Sequence, residues 1–78
     1  MSIIENYTSD LGCLISEKAR EAKIARDNAK EKSELDYQLG YLMAYHEVVS
    51  LMQQQADAFE IERRAIGIED IDPEKELV

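Results

Sequence analysis

LGYLMAYHEVVSLMQQQADAF, residues 39–59, is the stretch whose reading decides the fold. Placed on a heptad, Leu35, Leu42, Val49 and Ala56 share one position, and Tyr45, Met52 and Phe59 follow the last three at helical spacing. That is the seam of a packed helix. Leu42-Met43-Ala44-Tyr45 and Val48-Val49 are continuous apolar runs, so the alternation of a strand fails. Leu, Met, Ala, Gln and Glu favour helix, and no proline interrupts them. The stretch is predicted to be an amphipathic helix.

A second stripe lies beside the first. Tyr37, Tyr41, Ala44, Val48 and Leu51 also recur every three or four residues. One stripe docks a helix on one partner, whereas a band this broad needs covering from two directions. Gly40 sits four residues before Ala44 within it, where small residues let another backbone come close. Glycine inside a helix costs roughly 1 kcal/mol relative to alanine, so a packing role is expected at Gly40. Tyr37, Tyr41 and Tyr45 form an aromatic ladder suited to a subunit contact.

The chain has 78 residues, enough for one domain with a small core. Its single cysteine permits no internal disulfide, and no Cys/His cluster has metal-ligand spacing. Oligomerisation is the remaining way to cover the second stripe. Tyr37, Gly40, Tyr41, Ala44, Val48 and Leu51 are therefore expected to form the interface of a homodimer. MSIIENYTSD lacks the basic start and apolar segment of a signal peptide, and no run approaches a membrane span, so a cytoplasmic location is expected. The formal charge of −8 argues against nucleic acid or an anionic membrane as direct partner and favours a basic protein.

Working outward, residues 10–30 read as a leaner helix. Leu11, Leu14/Ile15, Ala19, Ala22, Ala25 and Ala29 make a stripe whose second half is alanine, held by helix propensity and close approach. Ser2 with Glu5 has capping-box spacing, yet a start near Ser9 is expected, with the preceding residues ordered against the bundle. Residues 18–32 hold six Lys and Arg, whereas 33–62 hold none. An antiparallel hairpin would set a basic helix beside an acidic one. The break is predicted between Asp27 and Ser33, with Asn28 left-handed and Ser33 as N-cap, one continuous helix being the alternative. The second helix is expected to end at 65–67 on Gly67. Ile68 and Ile71 then fold back, and Asp72-Pro73-Glu74 starts a short closing turn. Glu69, Asp70, Asp72, Glu74 and Glu76 make this tail the most acidic patch, a candidate surface for a basic partner.

Catalytic candidates are sparse. His46 has no nucleophile in view, and Cys13 reads as a small buried residue. Glu17 with Glu21, and Asp57 with Glu60 and Glu62, could hold a divalent cation only if several acids pointed inward from facing helices, and no Glu-x-x-His pair exists. Cys13 and His46 are therefore given structural roles, and no cofactor is expected. One or two of the glutamines 53–55 are expected to hydrogen-bond across an interface.

YLMAYHEVVSLMQQQADAF followed by IGIEDIDPEKELV resembles a type of small bacterial helical-hairpin protein with an AYxEVxSLMxQQAxAF helix and an IGLxxxDPxxxLL tail. The resemblance covers residues 35–78 and implies a hairpin without implying an activity. At Glu60-Ile61 the chain departs from it, because a glycine is expected after Phe59; the helix would then run on for another turn. The fold expected is all-α, a two-helix antiparallel hairpin (about 9–30 and 34–65, with an acidic tail 66–78) pairing into a four-helix homodimer. The function expected is a non-enzymatic protein-protein interaction module. The alternatives are an acidic inhibitor, of the kind phages and mobile elements use, mimicking nucleic acid on a basic partner, and a carboxylate-metal enzyme.

Overall fold

In the computed structural model, which describes residues 2–78, the first helix, α1, runs over Ile3–Asn28. It starts earlier than Ser9 because the capping box forms. The Ser2 hydroxyl accepts from the Glu5 N–H at 3.1 Å, and the Glu5 carboxylate accepts from the Ser2 N–H at 3.4 Å. Ala29 is extended, and Glu31 precedes the second helix, α2, over Lys32–Ala58. The break falls where expected and excludes one continuous helix. Its details differ: Asn28 stays helical, and Ser33 lies inside α2 rather than capping it. Neither Gly nor Pro makes this turn, so it follows from the packing of the two helices rather than from local chemistry.

The second helix stops at Ala58, well short of Ala65. Glu60 takes the left-handed conformation, with φ 57°, and the Ile61 N–H donates to Ala56 O at 2.7 Å while the Glu60 N–H donates to Asp57 O at 3.1 Å. These are the two bonds of a Schellman stop. Glutamate stands where glycine fits best, and the helix does not run on. An L-residue pays roughly 1–2 kcal/mol in this conformation. Glu60→Gly is therefore expected to raise stability by about 1 kcal/mol in urea denaturation, and an unchanged or lower midpoint would count against the stop.

Beyond it, Arg63–Ile66 form a 3₁₀ turn ending on Gly67 at φ 76°, so Gly67 is left-handed as expected but closes this turn rather than the long helix. Arg63 donates twice to the Asp57 carboxylate, at 2.7 and 3.2 Å, across the stop. The hydrogen bond from Arg63 holds the Asp57 carboxyl below its ordinary value. A lowered native pKa gives stability that is present above the ordinary value of 3.8 and is lost as pH falls below it. Asp57→Asn should flatten that part of the acid-unfolding curve. Asp72 then caps a short α3, Pro73–Glu76, its carboxylate accepting from the Glu74 N–H at 3.1 Å.

The hairpin alone has little core. The buried face of α1 is Gly12, Ser16, Ala19 and Ala22, and that of α2 is Leu42, Val49, Gln53 and Ala56. Small residues on α1 leave a trough along one side of the pair. Ile68, Ile71 and Leu77 fill it, all essentially buried, with Ile15, Tyr45, Met52 and Ile66 packed around them. Two backbones meet at the crossing. A Cβ on Gly12 would fall on the Ile66 carbonyl, 2.7 Å from its carbon and 3.1 Å from Gly67 Cα. Leu42, Val49 and Ala56 are buried as the seam requires, but Phe59 is 72% exposed because the helix ends beside it. Cys13 is exposed rather than buried.

Among the described residues no ion pair joins α1 to α2, so the expected pairing of basic and acidic helices is not made. The cations of α1 hold the tail instead. Arg20 donates to Asp70 O at 2.8 Å and lies 3.5 Å from Glu76, Arg26 donates to Val78 O at 2.9 Å, and Lys23 donates to the same oxygen. The result is a slab 45 × 22 × 15 Å, two helices wide and only slightly deeper than one.

Candidate functional site

The tail gives the hairpin a front and a back. On α2, Leu39, Met43, His46 and Ser50 recur at helical spacing on the flank beside α3, and Gln53 continues it. The Gln53 amide is buried and donates to Ile68 O at 3.1 Å and Ile71 O at 2.8 Å. One of the three glutamines thus bonds within the chain, to its own tail.

Tyr37, Gly40, Tyr41, Ala44, Val48 and Leu51 lie on the opposite flank, and all are exposed in the single chain. Among the described residues nothing lies within 4 Å of a Cβ built on Gly40, so no packing partner there accounts for that glycine. The tyrosine ladder forms as spaced: Tyr37 and Tyr41 stack at 6.3 Å between ring centres, and Tyr41 meets Tyr45 edge-on at 5.2 Å. The Tyr41 hydroxyl first, then burial and the Glu21 carboxylate, push the Tyr45 phenol above its ordinary value. On α1, Ile4, Tyr7, Leu11 and Leu14 recur at the same spacing and are likewise exposed. At roughly 100° per residue they lie on the flank away from Gly12 and Arg20, which face the tail. The back of the slab therefore carries an apolar stripe from each helix. The residues before Ser9 are thus helical but not packed against the bundle, and the spacing of Ile4 and Tyr7 continues through Leu11 and Leu14 as a stripe distinct from the alanines.

The acidic tail is more tied down than its composition implies. Glu76 is half-buried, beside Arg20, and accepts from the Asp72 N–H at 2.6 Å. Glu69, Asp70, Asp72 and Glu74 remain exposed, with Glu74 3.6 Å from His46. Glu17 and Glu21 are exposed, and no three His, Cys, Asp or Glu side chains converge among the described residues. Among the same residues no helix is long and apolar enough to cross a membrane.

Between α2 and the tail lies a cleft of about 680 Å³ that sequence reasoning did not find. Leu42 and Leu77 make its floor, Leu39, Met43 and Val78 its walls, and Glu47 and Glu74 its rim. Compared with protein-family models, with curated proteins and with solved structures, the chain matches none of them.

Proposed function

We propose that this chain is a non-enzymatic protein-interaction module, cytoplasmic, that pairs with a second copy of itself back to back into a four-helix assembly. The observation that carries this reading is the uncharged stripe Tyr37, Gly40, Tyr41, Ala44, Val48 and Leu51, left open while the tail covers the other side. The slab's broad face, 45 × 22 Å, is roughly 1,000 Å² in outline, against the ≈ 800 Å² that a stable interface takes from each partner. Ile4, Tyr7, Leu11 and Leu14 widen the patch across both helices. An isologous pairing through it hides both stripes at once.

Light scattering on the eluting chain at micromolar concentration tests this reading. A dimer is expected, and Val48→Glu with Leu51→Glu should convert it to a monomer that keeps its helical signal, since neither side chain belongs to the core. A parent chain that elutes as a monomer across that range rejects the pairing.

A second reading rests on the tail. The cations of α1 hold the tail largely through its main-chain oxygens, and Glu69, Asp70, Asp72 and Glu74 stay exposed, Asp72 also capping α3. With a net charge of −8, this surface suits a basic protein and supports the inhibitor that mimics nucleic acid. Capture of such a partner should weaken steeply as salt is added.

A further inference from the structure

We infer that the cleft between α2 and α3 is a docking groove for a basic amphipathic helix of another protein, seated by apolar anchors on Leu39, Met43 and Leu77 and held by Glu47 and Glu74 at the rim. The inference rests on reading the chain as an interaction module, and it concerns the front of the slab rather than the self-pairing back.

Three observations point to that occupant. The first is chemical: the floor is leucine, while Leu39 is 39% and Met43 62% exposed among the described residues. Methionine on an open surface adapts its shape to varied apolar partners. The second is length. The lining residues of α2 run from Leu39 to Gln54, fifteen residues apart, or about 22 Å of helix. That is a track for another helix lying alongside, longer than a small molecule needs. The third is charge. Glu47 and Glu74 flank the cleft and no Lys or Arg lines it. Lys75 of α3 is exposed but does not line the cleft, and Lys23 and Arg26 of α1 donate to the Val78 oxygen. An acidic helix would meet like charge at the rim, whereas Lys or Arg beside the anchors meets carboxylates. His46, Ser50 and Gln54 supply further polar groups along the track.

The test uses the full chain and three synthetic helical peptides of one pattern: Leu with Lys, Leu with Glu, and Ser with Lys. Fluorescence anisotropy gives affinity, and amide chemical shifts give location. The Leu/Lys peptide should bind at least about tenfold more tightly than either control, shifting amides of residues 39–54 and 74–78. Met43→Gln combined with Glu47→Gln and Glu74→Gln should weaken it at least about tenfold, while Phe59→Gln, outside both the cleft and the self-pairing stripe, leaves it unchanged. All four positions are exposed, so the variants keep the fold. Equal binding of the Ser/Lys peptide would reduce the effect to bulk charge and overturn the groove, as would an equal loss in Phe59→Gln, shifts confined to the back, or no binding of the Leu/Lys peptide. A change of oligomeric state in Met43→Gln would assign the groove to a second copy and overturn it too. Light scattering reads the self-pairing separately: a monomer that captures the Leu/Lys peptide at the groove ends the dimer reading and leaves this one standing.

Discussion

Gly12→Ala is expected to lower stability by roughly 2–4 kcal/mol, although alanine is the better helix former by about 1 kcal/mol. The stability of a chain this size is on the order of 4–12 kcal/mol, so one methyl group would remove a large share of it. The reason is that backbone meets backbone. The added carbon would land on the Ile66 carbonyl and within 2.7 Å of its carbon, where no side chain can rotate out of the way. Relief requires residues 66–67 to lift off α1, and Ile68 would be drawn out of the core with them. Gly67 is restricted from the other side, since its φ of 76° and its closeness to Ser9 O and Cys13 N leave no room for a side chain. Gly40→Ala is the matched control. It is the same exchange inside a long helix but in open space, and below the concentration of self-association it should stabilise by up to about 1 kcal/mol. Thermal unfolding followed by circular dichroism separates the two, with Tm expected to fall by on the order of 10–20 °C for Gly12→Ala and to rise for Gly40→Ala. A Gly12→Ala chain as stable as its parent would show that the tail does not cross α1 there.

Glycine 12 marks where sequence reading ends. In α1 it looks like a weak point in a helix, and only a segment more than fifty residues later gives it a purpose. The hairpin itself was legible, because Leu42, Val49 and Ala56 repeat at heptad spacing and the alanines of α1 can accept only a close neighbour. Local chemistry was legible where a side chain bonds its own backbone: Asp72 caps α3 as read, and Gly67 is left-handed. The Ser2–Glu5 box carries the same kind of local information, and it starts α1 at Ile3 rather than near Ser9. The end of α2 was not legible, since Glu60 adopts a conformation its side chain disfavours. Tertiary packing overrides propensity at that point.

The two candidate surfaces divide in the same way. The α2 part of the back obeys one period on one helix, so Tyr37, Tyr41, Val48 and Leu51 could be picked out together. The front cleft needs Leu77 and Glu74 set against Met43, and no local pattern joins them. Charge misled for a related reason. Arg20, Lys23 and Arg26 match the acids of α2 in composition, yet their partners are Glu76, main-chain oxygens of the tail and Asp27 on α1 itself. Main-chain acceptors are present in every residue and leave no trace in composition.

Ile68→Ala should cost about 3–5 kcal/mol, near the upper end for deleting a buried aliphatic side chain. Among the described residues the largest fully buried side chains are Leu42, Val49, Ile68 and Leu77, the last two from the tail. What faces the tail on α1 is Gly12, Ser16 and Ala19, residues with no side chain long enough to swing into a void. The cavity would therefore persist, and persistence sets the cost. Gln53 adds to it: its amide holds the Ile68 and Ile71 carbonyls in place, so the segment cannot slide inward to close the gap without breaking those bonds. Phe59→Ala removes a larger side chain, but one 72% exposed, and should change stability by less than about 0.5 kcal/mol. Urea titrations followed through the helical signal would compare them. If Ile68→Ala and Phe59→Ala unfolded at the same midpoint, the tail would be an appendage on a self-sufficient hairpin. If the Ile68→Ala midpoint alone collapses in one cooperative transition, the tail is the third side of the core, and the two-helix pair does not stand without it.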